Sequence, residues 1–250
     1  MNEPRTSVPT RSSGSRHRLH PWILTFTAVL AGATITAGSA TSTRSAVTDD
    51  QQLTEYRALR RMYGRSDRFN QEGWLDAWTE LDGQGFRYRI VTERGSEYLR
   101  NKVFKPILDR ERDLIAGGQA GRAALTEANY VFGEEQTADD GYRYVLLKPK
   151  RKDVTLVDGR MVLSPEGTLL RIEGRLAKNP SFWTSLVNVT RHFATIDGVR
   201  VPVSTESIAK VKFAGQSRLD ISYQYESING RPVTSAEQQR LASARASAPQ

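Results

Sequence analysis

Few residues in this chain could carry out bond-making chemistry. There is no Cys, which excludes disulfides, thiolate nucleophiles and Cys-based metal sites. His17 and His20 lie in the N-terminal segment, so beyond residue 40 the only His is His192. A multi-His zinc site is therefore ruled out. Any Ser–His chemistry would have to use His192, which falls on a strand face with Asn188 and Thr190, and no nucleophile or orienting group is nominated beside it. The acid pairs Glu134-Glu135 and Asp139-Asp140 match no calcium-loop spacing and read as an acidic turn. Lys148, Lys150, Arg151 and Lys152 form a basic run. It could dock an anionic headgroup or an acidic partner surface, and a solvated hairpin edge gives the same pattern. These residues nominate no catalytic group, metal or cofactor, and they leave binding as the open question.

What the chain does repeat is alternation. Phe86, Tyr88 and Ile90 alternate with Arg87 and Arg89. Leu170, Ile172, Gly174 and Leu176 alternate with Arg171, Glu173 and Arg175. Val187, Val189 and Phe193 share one face, as do Val199, Val201 and Val203. Leu219, Ile221, Tyr223 and Tyr225 alternate with Arg218, Asp220, Ser222 and Gln224. A period of two describes sheets with one apolar face and one wet face. If the apolar face is open, its lining is Phe86, Tyr88, Ile90, Leu170, Ile172, Val187, Val189, Leu219, Ile221, Tyr223 and Tyr225. If it is filled, the same residues are a core.

The strands are punctuated by Asp158-Gly159, Pro165-Glu166-Gly167, Asp197-Gly198 and Asn229-Gly230, each read as a turn because glycine accepts positive φ. Helical spacing is read at 49–62, with Leu53, Tyr56, Leu59 and Arg60 on one side and Asp49 or Asp50 as cap. Residues 74–81 fit a strand or a short helix. Residues 101–116 form a helix in which Pro106 is tolerated near the start, and Gly117-Gly118 ends it. Residues 121–128 suggest a second short helix. The tail from Thr234 is Ser/Ala/Gln-rich with no apolar face.

At 250 residues and 38% hydrophobic content the chain suits a single globular domain with polar ends. The formal net charge is +8, of which Arg5, Arg11, Arg16 and Arg18 against Glu3 contribute +3 within residues 1–40. The rest is interspersed, which argues against a nucleic-acid footprint. Residues 1–20 are polar and basic, Trp22–Gly38 carry no charge, and Gly38-Ser39-Ala40 offers a cleavage site. Residues 1–40 are expected to be a signal peptide directing the chain to the periplasm. An uncleaved N-terminal membrane anchor is the alternative. Residues 41–48 are expected to be a flexible spacer, 49–233 the folded domain and 234–250 a disordered polar tail.

The fold class is α+β: a curled antiparallel β-sheet, a half-barrel of about eight or more strands, with helices packed on the concave face. With the Ile196–Pro202 strand start (IDGVRVP) and Ser222–Tyr225 followed by Ile228-Asn229-Gly230, this pattern resembles the LolA/LolB-like family, in particular its exported outer-membrane lipoprotein-sorting relatives. The resemblance covers roughly residues 50–230. It also uses Lys148–Asp153, Val157-Asp158-Gly159, Glu173–Leu176 and Asn179–Trp183. It implies a half-barrel whose apolar side, lidded by helices, holds acyl chains. The expected function is a monomeric, non-enzymatic carrier or sensor of a lipid or lipoprotein acyl chain, with an envelope membrane protein as possible partner and no cofactor. The alternative is an envelope structural or interaction protein with a filled core and no ligand.

Overall fold

The computed structural model describes residues 51–67, 69–182, 184–212 and 215–246. The expected signal peptide and spacer, the caps Asp49 and Asp50, and the positions of Trp183 and Phe213 lie outside the described residues. One large antiparallel sheet dominates. Its strands are β1 (Tyr56–Ser66), β2 (Gln71–Asp82), β3 (Gly85–Gly95), β4 (Tyr130–Thr137), β5 (Arg143–Pro149), β6 (Val157–Leu163), β7 (Leu169–Leu176), β8 (Thr184–Ile196), β9 (Val199–Val211), β10 (Gly215–Ile228) and the short β11 (Arg231–Pro232). The order is β3-β2-β1-β10-β9-β8-β7-β6-β5-β4, with β11 beside β10. The sheet is not closed, because β3 and β4 are its two ends. Strands adjacent in the sheet are adjacent in sequence except at one place, where β1 pairs with β10.

A helix of about 30 Å follows β3, at the usual rise of ~1.5 Å per residue. This helix, α1 (97–116), comprises Glu97–Leu99, a π-helical turn at Arg100–Phe104, and Lys105–Ala116. The π turn has a local cause. Pro106 has no N–H to donate, and one residue earlier the Lys105 N–H bonds to the Arg100 carbonyl. Ser96 caps the start, its hydroxyl accepting from the Leu99 N–H. The buried side of α1, formed by Leu99, Val103, Phe104, Ile107 and Leu108, packs into the same core as β1, β2 and β3. Close approach is possible because Gly64 and Gly73 are register partners on β1 and β2. A methyl group at Gly64 would stand 3.0 Å from the Phe104 ring, and one at Gly73 would stand 3.1 Å from Leu99 Cβ.

Four readings of the sequence are corrected here. The helix expected over 49–62 is absent from the described part, 51–62; from Tyr56 the chain is β1, whose inward set is Tyr56, Ala58, Arg60 and Met62. Asp158-Gly159 is not a turn but lies within β6. Gly159 faces Gly174 of β7, and a methyl group on Gly159 would come within 2.1 Å of the Glu173 carbonyl oxygen. The glycines serve close backbone approach rather than reversal. Residues 121–128 contain only a 3-10 turn at Ala120–Ala123. The tail is a second helix, α2 (Ser235–Ala246), with Leu241 buried in the core. Its start is a capping box: Glu237 N–H donates to the Thr234 hydroxyl, and the Glu237 carboxylate accepts from the Thr234 N–H at 2.7 Å.

The second helix explains an oddity of β9. Val201, Pro202, Val203, Ser204 and Thr205 are all buried in succession, which a half-wet strand cannot produce. A register shift between His192 and Phe193 disturbs the pairing there, and α2 lies against β8, β9 and β10. Both faces are therefore covered at that end of the sheet.

Candidate functional site

The predicted lining residues fall into two clusters. Phe86, Val187, Val189, Leu219, Ile221, Tyr223 and Tyr225 share the core under α1, with Tyr88 and Ile90 partly buried against it. Ile172 belongs to a separate core with Tyr130, Leu147, Met161 and Leu169. Leu170 joins neither. A register shift between Val162 and Leu163 pairs Leu163 with Leu169, so Leu169 takes the inward position and Leu170 is half-buried. The face read as a possible open cavity is packed in this structure by Phe104, Ile107 and Leu108 of α1, none of them exposed.

At the centre of that face sits a group the sequence did not nominate. Arg60, on the inward side of β1, makes a two-pronged ion pair with Glu111 of α1, at 2.7 and 3.2 Å. Both side chains are 0% exposed. The guanidinium lies 4.9 Å from the Tyr223 ring centre and 5.5 Å from that of Phe86, and it donates to the Tyr56 hydroxyl. Burial opposes the charge on Arg60. Glu111 outweighs it and holds the guanidinium well above its ordinary range. Tyr225 is fully buried beside them and donates to the Pro202 carbonyl at 2.8 Å. A second polar tie anchors α1 to β3: the Tyr88 hydroxyl donates to Asp109 at 2.7 Å, and its pKa is pushed up to about 12, first by burial and then by that carboxylate.

The basic run divides. Lys148, Lys150 and Lys152 are exposed. Arg151 donates to Asn129 Oδ1 and to the Arg122 carbonyl, both at 2.6 Å, and flanks Asp153. Asp153 also accepts from Arg122 at 2.8 Å and from the Thr155 N–H at 3.1 Å. Burial of Asp153 opposes its charge, but these partners prevail and its pKa falls to about 2. Arg151 therefore ties the 121–129 loop to the 150–156 loop over the second core. The acid residues near 134–140 gather no site: Glu135 pairs with Arg143, and among the described residues no group of His, Asp and Glu could hold a metal ion.

The opposite face of the sheet is organised by register. Thr92, Asp76, Arg61, Ser222, Ser204, His192 and Arg171 are successive cross-strand partners on β3, β2, β1, β10, β9, β8 and β7. The adjoining row runs Arg94, Trp74, Tyr63, Asp220, Glu206, Thr190, Glu173 and Arg160. Arg218 pairs with Glu206 and Asp220, and Arg160 and Arg171 pair with Glu173. His192 is buried in the first row. Loss of hydration lowers its pKa, against the pull of Glu206.

Two clefts open on this face. One, of about 550 Å³, lies between α2 and the sheet and is lined by Leu59, Val203, Leu241 and Ala242 with amide groups at its rim. The other, of about 500 Å³, is polar and includes Tyr63, Trp74, Ser204 and Glu206. Arg61 and Ser222 line both. Sequence alternation identifies the strands of these rows, but pairing β1 with β10 is a long-range fact that no local pattern carries.

No protein-family model and no curated protein sequence matches the chain. Its fold was compared with solved structures. It is similar to the crystal structure of a DUF1329 family protein from Desulfovibrio piger, with 13% identity and a TM-score of 0.31, over 72% of this chain and 86% of that one. A likeness at that level carries no argument about function.

Proposed function

We propose that the chain is a carrier or sensor of a lipid or lipoprotein acyl chain, acting in the envelope after export. In this reading the sheet curls as a half-barrel, α1 lies on its concave side, and the acyl chain takes the place of α1. The observation that supports it is the make-up of the α1 contact. One helix supplies Leu99, Val103, Phe104, Ile107 and Leu108, and lifting it would bare an apolar face on β1, β2, β3 and β10 with Arg60 at its centre. Lifting α1 also separates the buried Arg60–Glu111 pair, a cost that burial of the acyl chain has to offset. Burying about 12 acyl methylenes is worth roughly 10 kcal/mol before association costs, enough for micromolar binding.

A second reading has its own support. The same face is packed by α1, as expected for a structural protein with a filled core. The chain has no Cys, so thiols placed at Tyr88 and Asp109 would be the only ones, and a short bis-maleimide could pin α1 to β3. Uptake of a fluorescent fatty acid by the free protein, lost on pinning, is the outcome expected of a carrier. Equal uptake by pinned protein sinks the lid, and no uptake together with no lipid in native mass spectrometry favours the filled core.

A further inference from the structure

We infer that the outer face carries a binding site of its own, for a small amphipathic anion: an organic carboxylate or phosphate monoester with a compact apolar tail. It does not depend on the proposed role of the face under α1, since Arg61 and Ala242, the residues its test changes, take no part in that core.

The two clefts meet at Arg61 and Ser222, so together they form one groove with an apolar end and a polar end. The apolar end is floored by Leu59 and Val203 and roofed by Leu241 and Ala242 of α2. Its size falls within the ~300–1,000 Å³ typical of small-molecule sites. At the junction stands a cation: Arg61 is exposed and makes no ion pair among the described residues. The other charges along the polar end are Arg94, Arg218, Glu206, Asp220 and Asp76, the last being the cross-strand partner of Arg61. Arg218 is held by Glu206 and Asp220, and Arg94 lies over the Trp74 ring at 4.9 Å.

A second observation points to a ligand. Ser204 is 3% exposed, lines the polar cleft, and its Oγ has no hydrogen-bond partner. A buried hydroxyl without a partner loses hydration and gains nothing in return. Ser204, Ser222 and Arg61 are consecutive partners across β9, β10 and β1, spanning about 10 Å at the usual strand spacing. One guanidinium and two hydroxyls in a row suit the oxygens of a carboxylate or phosphate. The Arg61 guanidinium favours an anion over an ammonium group and gains no ion pair from a plain alcohol. The tail of the anion then points to Leu59, Val203 and Leu241, where water would otherwise sit against apolar side chains.

Isothermal titration calorimetry of the full chain with octanoate, octyl phosphate, octanol and octylammonium tests this. The expected result is saturable binding of at least one of the two anions, with octanol and octylammonium at least tenfold weaker. Octanoate alone indicates a free carboxylate as the source, and octyl phosphate alone a phosphate ester. Arg61→Met should weaken the bound anion at least tenfold. Ala242→Trp, at the exposed mouth of the apolar cleft, should block it and abolish binding without disturbing the core. Octanol binding as well as the anions, anion affinity unchanged in Arg61→Met or Ala242→Trp, or no saturable heat with either anion overturns the site.

Discussion

Arg60 of β1 and Glu111 of α1, 51 residues apart, meet in a bidentate pair from which water is excluded. Removing one partner leaves the other charged, buried and alone. Glu111→Ala should therefore cost about 3–5 kcal/mol in urea unfolding, whereas Arg60→Met combined with Glu111→Leu should come out close to the parent. If the single and double variants lose the same stability, the pair is not the organising contact between helix and sheet.

Two groups make stability fall on acidification, in separate windows. His192 has a depressed pKa in the folded chain, so the unfolded state takes up its proton first. Its contribution is complete above the ordinary imidazole value of ~6.5 and fades below it. Asp153, at about 2 when folded, contributes above the ordinary carboxylate value and loses its share as pH falls toward about 2. Because its partner Arg122 is half exposed, roughly 1 kcal/mol is expected from Asp153. Thermal melts of His192→Gln should flatten the stability slope just below neutrality, and those of Asp153→Asn the slope below pH ~4.

The capping box of α2 is open to a direct test. Thr234→Ala removes the hydroxyl that accepts the Glu237 N–H and should cost about 1 kcal/mol. The loss should appear as faster amide hydrogen exchange in α2 and in β9 beneath it, with exchange in β5 and β6 unchanged.

Gly159 and Gly174 tolerate no side chain where β6 and β7 cross. A methyl group on Gly159 would stand 2.6 Å from Gly174 Cα. Gly159→Ala should destabilise by at least ~2 kcal/mol. Gly83→Ala, where nothing lies within 4 Å, is the control and should be nearly silent in the same denaturation assay.

Alternation made most strands legible, and the periodicity of 101–116 made the long helix legible. Where reading failed, the cause was a contact distant in sequence. The inward set of β1 includes Arg60, and a charge in that position breaks an apolar pattern unless Glu111 is known to await it. The bulge opposite Leu163 moved Leu169, not Leu170, into the core. The α2 helix had a visible signal, Thr234 followed three residues later by Glu237, but its apolar side is little more than Leu241. The groove at Arg61 was not legible, because its three polar residues belong to strands that only the folded sheet sets side by side.

That one non-sequential pairing also governs time. The second edge of β1 finds its partner only in β10, from Tyr56 opposite Ile228 to Ser66 opposite Ser217. Asn229 then fastens the two ends, its amide donating to the Gln52 carbonyl and accepting from the Thr54 N–H. The hairpins on either side can form as the chain emerges, but the seam that joins them waits for β10, the last of the long strands. A nascent chain therefore presents two unjoined half-sheets with bare apolar faces, and closing so long a loop is expected to set a slow folding rate.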